Sequence, residues 1–232
     1  MKRKRSLWLL LVFIFLVVFL IGIELYLPSI ANRILVDIFE QETDVIEDLE
    51  INISSFPALK ILFGRVDHVS IRSQGLVHDH LFLEKFNLNY RDIVLSRKDF
   101  VGVNTYLEAV VTEEALNNYL YEKYPDMGNF SVEINSEQVL LDGEINIMQF
   151  RVNFQISGNL VLNNRNQIYF VPNDLQVEQI NIPVNLIKTV MEEFAFVIDL
   201  QTLDIPIEIT ELKVESEYIV ILGGKEGRGD NE

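Results

Sequence analysis

The chain has 232 residues, 49% hydrophobic and 23% charged, a globular balance that argues against collagen-like, low-complexity and wholly disordered classes. Its formal charge is −16, and setting aside Lys2, Arg3, Lys4 and Arg5 leaves 15 basic residues against 35 acidic, or −20; such a body lacks the positive field that neutralises phosphates, so no nucleic-acid partner is expected. Cysteine is absent, which excludes disulfide scaffolds, Cys-based zinc sites, iron–sulfur clusters and a Cys nucleophile.

Residues 7–23 (LWLLLVFIFLVVFLIGI) carry no charge and as a helix span roughly 25 Å of hydrocarbon. The KRKR cluster precedes this run and Glu24 follows it. By the positive-inside rule, residues 1–6 are cytoplasmic, residues 7–27 form a single-pass anchor in the cell membrane, and the remainder is extracytoplasmic. A cleaved signal peptide is the competing reading. Against it, the apolar run is long, and the first small residues after it, Ser29 and Ala31, make no convincing cleavage site beyond Pro28. Both readings place the body outside the cytoplasm.

Residues 28–222 suit one domain with a substantial core. Ile30, Ile34, Leu35 and Ile38 fall at helical spacing, predicting a short amphipathic helix over 29–40. From residue 48 the period becomes two: Leu49, Ile51 and Ile53, then Val69 and Ile71, Leu81 and Leu83, and Phe86, Leu88 and Tyr90. These read as half-buried antiparallel strands. Over 144–162, Ile145 and Ile147 give way to Phe150, Val152, Phe154, Ile156, Leu160 and Leu162, a parity change near Met148 and Gln149. It predicts a bulged, bent strand or a tight hairpin, and the same slip recurs between Ile209 and Leu212. Thr112, followed by Glu113 and Glu114, caps a predicted helix over 112–124 that ends before Pro125. A second, unusually apolar helix is predicted over 183–198, with Pro183 at its start and Val184, Ile187, Val190, Met191, Phe194 and Ile198 along one side. The glycine-rich, polar 223–232 reads as a disordered tail.

Chemistry-bearing patterns are sparse. His78-Asp79-His80 offers two histidines without an evident third ligand, so it reads as an exposed turn or strand end and no metal or other cofactor is expected. Paired acids such as Glu113-Glu114 and Glu192-Glu193 diverge on a helix and read as solvated faces. The common hydrolase, protease and dinucleotide signatures are missing, so no catalytic residue and no enzyme activity is expected. The sequons at Asn52 and Asn129 read as chance. Most of the phenylalanines read as simple core packing, yet a bent sheet curled around an apolar helix can instead enclose a lipid-holding channel.

The stretch SSFPALKILFGRVDHVSIRSQG (54–75), with Phe56-Pro57, Leu59, Leu62, Gly64, Asp67, Val69 and Ile71, resembles the signature of the LmeA-like phospholipid-binding family of bacterial envelope proteins. The glycine there would allow a tight helix-to-strand turn. VVTEEALNNYL (110–120) and the closing Pro-led helix, short strand and hairpin are similar to further parts of that family, so the resemblance covers roughly 30–222. It implies a tubular lipid-binding outline and carries over no catalytic residue. The expected class is therefore α+β: a transmembrane helix, then a strongly curved antiparallel sheet wrapped around one or two helices as an elongated apolar groove or half-barrel. Phospholipid or another membrane lipid is the expected partner, with no protein partner identified. The expected lipid-lining residues are Phe150, Val152, Phe154, Ile156, Leu160, Phe170, Ile187, Met191 and Phe194. Phe56, Pro57, Leu59, Gly64 and Asp67 are expected to be structural. A solid-cored scaffold with an acidic face for a basic partner or divalent cations is the alternative.

Overall fold

A computed structural model of the chain describes residues 2–42, 45–95, 100–101, 104–125, 130–147, 150–163, 166–177, 195–200 and 207–225. In chain order these form α1 (Lys2–Glu42), β1 (Val45–Ile46), β2 (Glu50–Ser54), a 3-10 helix (Ala58–Phe63), β3 (Arg65–Ser73), β4 (Leu76–His78) and β5 (Leu81–Leu83). Then come β6 (Lys85–Leu95), β7 (Phe100–Val101), β8 (Asn104–Thr112), α2 (Glu113–Lys123), β9 (Phe130–Ile134) and β10 (Val139–Ile147). The chain closes with β11 (Phe150–Leu162), β12 (Gln167–Val177), β13 (Val197–Asp199), β14 (Ile209–Glu215) and β15 (Tyr218–Lys225).

The class is α+β, as expected, and the described strands divide among three antiparallel sheets. One runs β14-β15-β8-β6-β3-β2 with β7 beside β6, the second runs β13-β12-β11-β10-β9 and curls as a half-barrel, and β1-β4-β5 form a small third. Helix α2 packs among β5, β8 and β9. It buries Leu116, Tyr119 and Leu120 in one core with Phe86, Leu88 and Ile93 of the large sheet and Leu141, Ile156 and Ile168 of the half-barrel.

Side chains clasp the two larger sheets together. Thr112 Oγ1 accepts from Ala115 N, the expected N-cap, and Glu113 Oε2 reaches Ile134 N at 2.8 Å. Asn117 donates to Glu113 O and Val132 O and accepts from Val132 N at 2.7 Å, tying α2 to the edge strand β9. Asn166, held at φ 55°, donates to Ile207 O and accepts from Ile209 N, so it links the start of β12 to β14 in the other sheet. Buried backbone groups at these seams thus find partners.

The structure differs from the sequence reading in four places. Helix α1 passes through Pro28 without ending: a proline forfeits one backbone hydrogen bond, and long helical runs on both sides carry the helix across. Its domain-facing stripe is Ala31, Leu35 and Phe39, whereas Ile30 and Ile34 are exposed. The helix predicted over 183–198 does not reach its expected end, because Val197–Asp199 pairs with β12 and Phe196 stacks on Phe170 at 5.1 Å; residues 178–194 lie outside the described residues. Strand β15 takes in Gly223, Gly224 and Lys225, the start of the predicted tail. A side chain at Gly224, where φ is 137°, would meet Thr105 O at 2.1 Å, so the glycine serves close strand contact and not a linker.

The two parity changes read from the sequence appear as a β10–β11 hairpin with Ile147 opposite Phe150 and as a register shift between Ile209 and Glu211. Asp79 and His80 adopt positive φ in the turn joining β4 to β5, and His80 Nδ1 lies 2.9 Å from Glu122 Oε2. The expected exposed turn is what forms there.

Candidate functional site

The inner face of the half-barrel is the candidate site. Along β11 the inward positions Phe154, Ile156, Gly158, Leu160 and Leu162 keep one parity, and β12 matches them first with Ile168, Phe170 and Pro172. Ser157 pairs Asp174 while Gly158 pairs Pro172, so Asn173 is the extra residue of a bulge. The bulge switches β12 to odd parity and places Leu175 opposite Ile156 and Val177 opposite Phe154. One apolar face therefore continues through a bend that a regular strand would have turned inside out.

The face changes character along its length. Ile156 and Ile168 have no accessible surface and Phe170 has 2%, so these side chains meet protein atoms on all sides. Glycines make room for two of the rings: a side chain at Gly143 would collide with Phe154, and one at Gly158 with Phe170 and Val171 O. Across the bulge, Leu175 and Val177 are half-buried, as is Leu160. Half-buried side chains thus lie at both ends of the face, Leu175 and Val177 towards the β10–β11 hairpin and Leu160 and Leu162 at the other, around the sealed Phe154, Ile156, Ile168 and Phe170.

Of the expected lipid-lining residues, Phe154, Ile156 and Phe170 sit in the sealed part and Leu160 is half-buried. Phe150 and Val152 occupy register positions opposite Ile147 and Ile145; their side chains lie outside the described residues, as do Ile187, Met191 and Phe194 altogether. Sequence reasoning missed Leu175 and Val177. Their signal was present as apolar positions that change parity across Pro172-Asn173.

The motif residues 56–67 build one tight feature. Pro57 precedes the 3-10 helix, Gly64 closes it at φ 69° with its N–H on Ile61 O, and Leu59 is half-buried. This bears out the glycine turn expected there. Asp67 accepts from Phe56 N at 2.8 Å and from Lys60 Nζ at 3.0 Å, and these hold its carboxyl below the ordinary carboxylate range, the Phe56 N–H contributing most. Because the folded pKa is depressed, the stabilisation is complete above the unfolded value and disappears as pH falls through the folded one. The effect is small, since the side chains of both ion-pair partners are 40% exposed. The Phe56 amide resonance is expected to shift on acidification with a midpoint below about 3.9, the value of a free Asp. In Asp67→Asn that transition should be missing, and a midpoint at the free value would contradict the assignment.

A second, polar groove of about 1140 Å³ lies over the other side of the large sheet, lined by Glu47, Glu50, Arg72, Glu84, Lys85 and Glu108 among others. Lys85 Nζ lies 2.6 Å from Glu108 Oε1, and this, with the Tyr106 hydroxyl, holds the Glu108 carboxyl down. Among the described residues no group of three His, Asp or Glu is arranged to hold a metal ion.

In comparison with known proteins, residues 25–224 fit a family model described as LmeA-like phospholipid-binding. No curated protein and no solved structure matches.

Proposed function

The chain belongs to the LmeA-like phospholipid-binding family, and from that premise we propose that it is a non-enzymatic, membrane-anchored, extracytoplasmic phospholipid-binding protein. The observation that carries this reading is the apolar inner face of the half-barrel, on which half-buried Leu160, Leu162, Leu175 and Val177 extend a sealed centre of Phe154, Ile156, Ile168 and Phe170. Acyl chains need no specific polar contact: each buried methylene contributes about 0.8 kcal/mol, so part of one chain gives useful affinity and headgroup selectivity stays modest.

Helix α1 contains a window long and apolar enough to cross a membrane, with none of it buried in the protein. We read it as the anchor, N-terminus in the cytoplasm by its basic flank. Anchoring keeps the groove beside its lipid source, raising effective concentration and suiting the domain to lipid transfer or envelope maintenance.

The test is native mass spectrometry and lipid extraction of the full chain, purified from membranes in a detergent that preserves bound lipid and then stripped of micelle lipid. Near-stoichiometric phospholipid is expected. A bare protein mass, with no uptake from added vesicles, would sink the proposal. It would favour the second reading, a scaffold that meets a basic partner through the acidic groove around Glu47, Glu50, Glu84 and Glu108.

A further inference from the structure

Three large apolar side chains crowd the short motif segment and face outward: Phe56 is 78% exposed, Leu62 64% and Phe63 80%. The segment is well braced. Lys60 N–H bonds Pro57 O, Gly64 N–H bonds Ile61 O, and Asp67 grips both Phe56 N and Lys60 Nζ. A braced segment that holds such a cluster in water is unfavourable unless something covers it.

Its position indicates what covers it. Ala58 N–H donates to Glu24 Oε2 of α1 at 2.8 Å, fastening the segment to the helix just past the apolar run. Leu62 also closes an apolar groove of about 350 Å³ whose other wall is Phe19, Gly22, Ile23, Tyr26, Leu27 and Ile30 of α1. At about 1.5 Å per residue, Phe19 lies roughly 6 Å inside the outer end of the 7–23 run and Ile30 roughly 10 Å beyond it. Leu62 is therefore level with the outer hydrocarbon boundary if α1 spans the bilayer.

We propose that Phe56, Leu62 and Phe63 form a wedge that enters the acyl layer of the outer leaflet beside α1. This rests on the anchor reading and adds a second membrane contact to it. The occupant is the leaflet because the groove is continuous with the lipid-facing surface of α1. Exposed Arg65 follows the segment and exposed Arg33 stands on α1 beyond the 7–23 run, and in a body of charge −20 they offer cations to headgroup phosphates. The domain, already packed on α1 through Ala31, Leu35 and Phe39, is thereby held to the leaflet at a second point, which fixes its rotation about the helix axis.

Depth-dependent quenching tests this in the full chain, reconstituted in phosphatidylcholine vesicles brominated at shallow or at deep acyl positions. Trp8, the single tryptophan, reports on the anchor in the natural chain. Phe63→Trp and, separately, Phe56→Trp in a Trp8→Phe background report on the wedge; both sites are exposed, so the indole fits without repacking. Tyr218→Trp in the same Trp8→Phe background, at the far end of the large sheet, is the water-exposed control. The expected result is loss of most emission from both wedge indoles with shallow bromines, less with deep ones, and none from the control. Quenching of Trp8 with unquenched wedge indoles would overturn the wedge while leaving the anchor intact. If Trp8 too is unquenched, anchor and wedge fall together.

Discussion

Phe170→Ala is expected to cost about 3–5 kcal/mol, a large share of the stability of an ordinary domain. The ring is 2% exposed and stacks on Phe196 at 5.1 Å with 3° between planes. Its backbone N–H donates to Phe196 O at 3.0 Å, and its edge lies where any side chain at Gly158 would collide with it. Truncation removes the ring from a site that cannot collapse, since Gly158 supplies no atoms to refill it. It also loosens the strand β13, which joins the half-barrel through the short Tyr169–Val197 to Gln167–Asp199 pairing. Urea unfolding of the full chain in micelles, followed by near-ultraviolet circular dichroism, should show the loss as a lower midpoint with an unchanged slope. Phe170→Leu should restore part of it. A loss under about 1 kcal/mol would mean that the ring is not a packed core element, because surface-like substitutions stay within that range.

Local signals in the sequence survive folding well here. Alternation located β2, β3, β5 and β6; the Thr112 cap follows from residue chemistry, and period narrows the parity change near 148–149 to a bulge or a hairpin, of which the hairpin pairing forms. The motif at 56–67 was legible as a turn because Pro57 and Gly64 bracket it. What was not legible is long-range. Strand β15 pairs with β8 and β14 pairs with β15, so the last hairpin joins a sheet whose nearest member in sequence ends at Thr112 and whose farthest begins at Glu50. No local pattern encodes which of many alternating strands become neighbours. Ala195–Ile198 shows the related failure: its apolar run fits a helix by period, and tertiary pairing with Ile168 and Tyr169 makes it extended instead. Exposure of Phe56 and Phe63 was equally hidden, since apolar residues in a turn read as core until the surrounding surface is known.

Leu175→Asp, with Val177→Asp as its independent repeat, separates a lipid-holding groove from a solid core. Both residues are half-buried beyond the bulge, so a carboxylate there can turn toward water in the lipid-free protein. The expected cost in stability is about 1–2 kcal/mol, well short of the Phe170→Ala loss. With acyl chain against this face the same carboxylate would be stripped of water with nothing to pair it, a cost of several kcal/mol. Every 1.4 kcal/mol is tenfold in affinity, so co-purifying phospholipid should fall at least about tenfold while the fold persists. Val171→Asp, 42% exposed on the opposite face of β12, should leave lipid content unchanged. If Leu175→Asp instead unfolds the domain as thoroughly as Phe170→Ala, that end of the half-barrel is solid core and the scaffold reading gains. A folded variant with full lipid content would move the binding surface away from the half-barrel, because hydrocarbon and an unpaired charge cannot share so narrow a face.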